Sequence, residues 1–103
     1  MKTLRTIAID DEPLALQLIT GYIIQTPFLE HLGSFDSPLT AMDFLEQNPA
    51  DLIFLDIQMP DLLGTEFARI HHNDSLFVFT TAYPNYAVEG FRLNAVDYLL
   101  KPF

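Results

Sequence analysis

The sequence predicts an α/β fold built on a doubly wound parallel five-stranded sheet, and three observations carry that prediction. Short apolar runs alternate with longer segments of helical period in the order βαβαβαβαβ. The run Leu76 to Phe79 is apolar at every position, as suits a strand covered on both faces. Finally, the runs end in charge: Asp10-Asp11-Glu12 after the first, Asp56 after the third and Lys101-Pro102 after the last. A parallel α/β sheet gathers its ligands in the crevice outside the carboxyl ends of its strands. Residues far apart in sequence would therefore meet there.

Taken in order, Leu4 to Ile9 is the first strand, and Pro13 fits the first turn of a helix that runs to about Gln25 and stops before Pro27. Leu14, Leu16, Leu18, Ile19, Tyr22, Ile23 and Ile24 give this helix more than one apolar face, which implies deep burial or a partner surface. His31 to Phe35 is a weak strand containing Gly33 and is expected at a sheet edge. Ser37-Pro38 supplies a cap and first-turn proline for a helix with Ala41, Met42 and Leu45 inward, ending at Asn48-Pro49. Leu52 to Leu55 is a buried strand, and the helix after Gly64 is expected to turn Phe67 and Ile70 to the core. Beyond the fourth strand, Pro84 opens a short helix with Ala87, Val88 and Phe91, and Val96 to Leu100 forms the fifth strand.

With 103 residues, half of them hydrophobic, the chain has enough material for one core and too little for two. No apolar stretch approaches the ~20 residues of a membrane span. The start of the chain lacks a signal-peptide pattern, since acids follow Ile9 at once. With no cysteine and no such signal, the cytoplasm is the expected location. A net charge of -9 argues against direct contact with nucleic acid or an anionic membrane, both of which select clustered Lys and Arg.

The strand ends define the candidate chemistry. Carboxylates from Asp10, Asp11 and Asp56 packed together cannot all stay ionised without a compensating cation. Mg²⁺, a hard ion that prefers oxygen ligands, meets that need. Singly, each residue has a plainer reading. The acids after Ile9 suit a helix N-terminus, Asp56 a loop cap, Lys101 a solvated charge, Tyr98 a core aromatic, and Thr81 alone says almost nothing. His71 and His72 are adjacent, so their side chains diverge and a helix-terminal charge is a better reading than a metal pair. His31, on an edge, is expected to be solvated.

Together, Asp10-Asp11, Asp56, Thr80-Thr81-Ala82, Tyr98 and Lys101-Pro102-Phe103 resemble, in identity and order, the receiver domains of bacterial two-component response regulators. The stretches Thr81 to Phe91 and Asp97 to Phe103, with Asp10-Asp11-Glu12-Pro13-Leu14-Ala15, look like the LytTR-type subgroup, whose receivers precede a DNA-binding domain. The resemblance covers the whole chain. It implies the flavodoxin-like strand order 2-1-3-4-5, with residues 1–103 forming one receiver domain truncated after the fifth strand, its last helix and effector domain absent. Vacating that helix face would favour a homodimer or reduced stability.

By the same resemblance Asp56 is the phosphoacceptor, taking a phosphoryl group from a histidine kinase. Asp11, Asp56 and the main-chain carbonyl of Gln58 would hold Mg²⁺ directly, with Asp10 acting mainly through water. Lys101 and the Thr81 hydroxyl would contact the phosphoryl group, while Thr81 and Tyr98 would form the switch that controls an attached DNA-binding domain. The family's cis bond after the lysine makes Lys101-Pro102 the candidate here. Gln58 and Tyr83 would flank the attacking water, Tyr83 shielding the phosphoryl group and slowing hydrolysis. Such a domain catalyses its own phosphorylation and dephosphorylation and is not a turnover enzyme.

Three other functions compete with this one. A nucleotide-binding domain would carry a glycine-rich loop where this chain has Asp-Asp-Glu-Pro. A phosphatase of the haloacid dehalogenase type would carry a second aspartate at Gln58. The alternative closest to the main reading is a pseudo-receiver, acting only as a protein-interaction module.

Overall fold

Strand and helix alternate along the chain as β1 (Leu4–Ile9), α1 (Pro13–Gln25), β2 (Leu29–Phe35), α2 (Pro38–Gln47), β3 (Leu52–Asp56), α3 (Gly64–His71), β4 (Leu76–Thr81) and β5 (Ala95–Leu100). The structure is a computed structural model, and it describes residues 3–57, 59, 64–71, 75–81 and 95–101. The expected helix at Pro84, Gln58, Tyr83 and Pro102 lie outside the described residues, as do the side chains of Tyr98 and His71 and all of His72. The strands form one five-stranded sheet in the order β2-β1-β3-β4-β5, with every neighbouring pair parallel. The chain leaves β1 for β2 on one side and then returns to β3 on the other. That reversal opens a crevice at the carboxyl ends of β1 and β3.

Alternation along the strands builds two cores of different size. Ile7 and Ile9 of β1, Ile53 and Leu55 of β3, and Phe77 and Phe79 of β4 meet Ala41 of α2 and Phe67 and Ala68 of α3 in the larger cluster. On the other face Ala8 meets Ile19 and Ile23 of α1, with Leu16, Leu29 and Phe54 packed alongside. Each fully buried Phe, Ile or Leu contributes roughly 1.5–3 kcal/mol through removal from water. Met42 and Leu45 pack against the larger cluster, as the sequence implies.

The helix ends follow their residues. Pro13 opens α1, and the Thr26 amide closes it by donating to the Ile23 carbonyl at 3.1 Å, one residue before Pro27. Ser37 caps α2 by accepting from the Leu39 amide at 3.2 Å, and Asn48 closes it through its backbone and side-chain amides, both donating to the Phe44 carbonyl.

Three expectations need correction. Strand β2 begins at Leu29 rather than His31, because Leu29 and Glu30 pair with Leu4 and Arg5. The ladder then skips Leu32, passing from Thr6 opposite His31 to Ile7 opposite Gly33. A glycine suits that irregularity, since a Cβ there would lie 2.9 Å from Phe35 Cζ. His31 is half-buried rather than solvated, its Nε2 2.8 Å from Ser34 Oγ, which in turn meets Thr20 Oγ1. Ile70 is 58% exposed rather than inward. At about 100° per residue, the face centred between the buried Phe67 and Ala68 has already turned about 110° away from Ile70. Helix α1 buries a single stripe of Ala15, Ile19 and Ile23, while Leu14, Leu18, Tyr22 and Ile24 are exposed, so of the two expectations for this helix deep burial on several faces is excluded and a partner surface is not.

Candidate functional site

The crevice is assembled by backbone hydrogen bonds one residue beyond each strand. Ile9 stands opposite Leu55, so Asp10 and Asp56 emerge side by side from β1 and β3. The Asp10 amide donates to the Phe35 carbonyl at 3.0 Å, which holds the end of β1 against β2. Asp56 pairs with Thr80, and the Ile57 amide donates to the Thr80 carbonyl at 3.1 Å, fixing the turn that follows the acid. At the far strand the Lys101 amide donates to the Thr81 carbonyl at 2.8 Å, which places the lysine beside the end of β4.

Asp10, Asp11 and Asp56 bring carboxylate oxygens within 4.8 Å of one another. Asp10 and Asp56 are buried, and Asp11 is exposed. Three acids so close repel one another unless positive charge is supplied. Lys101 supplies part of it. Its Nζ lies 3.1 Å from Asp10 Oδ2, 3.0 Å from Glu12 Oε1 and 3.5 Å from Asp56 Oδ1. Burial disfavours the charged ammonium, but hydrogen bonds to Glu12 and Asp10 and the charges of Asp56 and Asp10 outweigh it, so the Lys101 pKa is raised above its ordinary 10.5.

Among the described residues, one ammonium faces three clustered acids and Glu12, which leaves the site short of positive charge. Asp10 Oδ1 accepts from the Glu12 amide at 2.9 Å. The buried Oδ2 has the Lys101 ammonium nearby but no partner in hydrogen-bond geometry. An all-oxygen donor set with a buried lone pair still open suits a hard divalent cation such as Mg²⁺. Thr81 is 3% exposed at the end of β4, within the same crevice wall.

Of the residues singled out in the sequence, the structure brings Asp10, Asp11, Asp56, Thr81 and Lys101 to one end of the sheet. Tyr98 is placed on β5 opposite Phe79. Glu12 is the residue the sequence undervalued. Its place next to Asp10-Asp11 suggested only a helix-terminal charge, whereas its side chain reaches across to Lys101.

The sequence matches the family model described as "Response regulator receiver domain" over residues 6–103. It is 39% identical over 103 residues to the sensory transduction protein LytT of Bacillus anthracis and 41% identical over 106 residues to the transcriptional regulatory protein YpdB of Escherichia coli strain K12. Each alignment takes in 97% of this chain but 42% of the relative, so the chain spans about two fifths of their length. Among solved structures, the response regulatory domain of MrkE from Klebsiella pneumoniae superposes with a TM-score of 0.85 at 40% identity, covering 97% of this chain and 84% of that one. The receiver domain of NarL from Mycobacterium tuberculosis, at 19% identity and a TM-score of 0.86, shares the fold. The similarity to LytT agrees with the LytTR-type features of the sequence. On the extent of these matches, this chain belongs to the response regulator receiver domains.

Proposed function

We propose that residues 1–103 form a cytoplasmic receiver domain that accepts a phosphoryl group on Asp56 from the phosphohistidine of a histidine kinase, and that the resulting shape change controls an attached DNA-binding domain. One observation carries this reading. The oxygens of Asp10, Asp11 and Asp56 converge within 4.8 Å, and Lys101 Nζ stands 3.5 Å from Asp56 Oδ1.

In the transfer a carboxylate oxygen of Asp56 forms a bond to phosphorus as the phosphorus–nitrogen bond of the donor breaks, and the bonding pair departs with the imidazole. Such transfers need little covalent help; positioning and charge neutralisation do most of the work. Lys101 meets the phosphoryl oxygens as a point charge, and the Thr81 hydroxyl donates to one of them. Asp11 and Asp56, with the main-chain carbonyl of Gln58, would hold Mg²⁺ directly and Asp10 through water, and the bound ion would neutralise the phosphoryl charge. Movement of Thr81 toward the phosphoryl group, followed by Tyr98, is the proposed switch. The domain acts on its own carboxylate and turns over no other substrate.

Mass spectrometry after incubation with acetyl phosphate tests this reading. With Mg²⁺ the chain should gain one phosphoryl mass, and without a divalent ion it should not. Asp56→Asn should remain unlabelled. Undiminished labelling of Asp56→Asn would end the assignment, and an unlabelled wild-type chain would favour the pseudo-receiver.

A further inference from the structure

Lys101 is shared among three acids. Its nearest acid is the carboxylate of Glu12, at 3.0 Å, followed by Asp10 Oδ2 at 3.1 Å, whereas Asp56 Oδ1 lies at 3.5 Å. The three acids differ in setting. Asp10 is fully buried and Asp56 nearly so, but the Glu12 side chain is 63% exposed. Its backbone is fixed all the same, because its amide donates to Asp10 Oδ1 and its carbonyl accepts from the Leu16 amide in the first turn of α1. A surface carboxylate on an anchored backbone therefore shares the crevice lysine with the two buried acids.

We infer that Glu12 is a positioning residue that shares Lys101 with Asp10 and Asp56 in the resting state, and that arrival of a phosphoryl group draws Lys101 off Glu12. The inference rests on the proposed role of Asp56 and adds a regulator to that site. A phosphoryl group on Asp56 presents dianionic oxygens to Lys101, whose three donors already face three acids, so a new contact is made at the expense of an old one, and the solvent-exposed Glu12 is the easiest to release. The exchange costs little, since an exposed ion pair contributes only a small free energy. Glu12 thus sets a modest opposing bias on phosphorylation without touching the reacting atoms.

Two substitutions separate an ion pair from a mere charge. Glu12→Gln removes both, whereas Glu12→Asp keeps the charge and shortens the reach by one methylene. If the contact is the device, both variants should speed acylphosphate formation at low acetyl phosphate by roughly two- to fivefold, the equivalent of an exposed ion pair. In metal-free protein both should also shift the ¹⁵N resonance of the Lys101 side-chain ammonium. An unmoved resonance in both variants would overturn the inference, as would a Glu12→Asp variant indistinguishable from wild type in both readouts. Failure of all three chains to be phosphorylated would refute the proposed function instead, and the ammonium resonance would then decide the hold of Glu12 on Lys101.

Discussion

The same strands serve opposite purposes along their length. In the middle of the sheet, β1, β3 and β4 present Ile7, Ile9, Ile53, Leu55, Phe77 and Phe79 to one dry cluster. One or two residues further on, they give Asp10, Asp56 and Thr81 to a crevice where, among the described residues, buried acidic charge outweighs that of Lys101. The first region gains free energy by excluding water. The second bears desolvation and like-charge repulsion, and holds because backbone hydrogen bonds at the strand ends over-determine it. Stability and chemistry are therefore separable by position along a strand, and substitutions should divide accordingly.

The largest effect on folding is expected in the core. Phe77 is fully buried, so Phe77→Ala should cost about 3–5 kcal/mol in denaturant unfolding. Mg²⁺ affinity of the molecules that remain folded should not change. The reverse pattern is expected at Asp11, which is exposed and adds little to packing. Asp11→Asn should leave metal-free stability nearly intact yet weaken Mg²⁺ binding by at least ~10–100-fold, the loss that even an outer-shell partner brings. Thermal melts would show it directly: Mg²⁺ at 100 times its Kd should stabilise the wild type by about 2.7 kcal/mol, with about half of that gain or more missing from the variant at the same metal concentration.

Lys101 links the two regions through pH. Its folded pKa is raised, so its contribution to stability is complete below the ordinary value of 10.5 and is lost as pH rises through the higher folded value. Unfolding measured along the alkaline limb should show a steeper loss in wild type than in Lys101→Met. Parallel limbs would mean that the acids do not favour the ammonium.

The smallest effect concerns neither core nor crevice. Gly21 lies within α1 with open space where a Cβ would stand, so Gly21→Ala should stabilise the fold by up to ~1 kcal/mol, read from the denaturation midpoint. Phosphorylation should be unaffected.

Much of this arrangement was legible in the sequence, and what was not has physical causes. Strand order followed from the resemblance to the receiver family, and the candidate site residues stood out because the first, third and fifth strands change abruptly from apolar to charged at their ends, as between Ile9 and Asp10 or Leu55 and Asp56. The start of β2 was missed because Leu29 and Glu30 gain their strand geometry from pairing with Leu4 and Arg5, a long-range term that no local pattern carries. Ile70 was placed inward by its apolarity, but the facing direction of a helix as short as α3 follows Phe67 and Ala68, which are buried among its described side chains. The reach of Glu12 to Lys101 joins residues 89 positions apart and depends on a side-chain rotamer. Sequence shows the acid; only the fold shows its partner.

The central claim, that the charged strand ends form one Mg²⁺-dependent phosphoryl site, is tested most directly by titrating the chain with beryllofluoride, a phosphoryl mimic, while following backbone amides by two-dimensional NMR. With Mg²⁺ present, the amides of Asp10, Asp11, Asp56, Thr81 and Lys101 should shift together to a saturable end point, and those of Ile7, Ile53 and Phe77 should move far less. Saturation of the same amides without a divalent ion, or no response at the strand ends with one, would contradict the account.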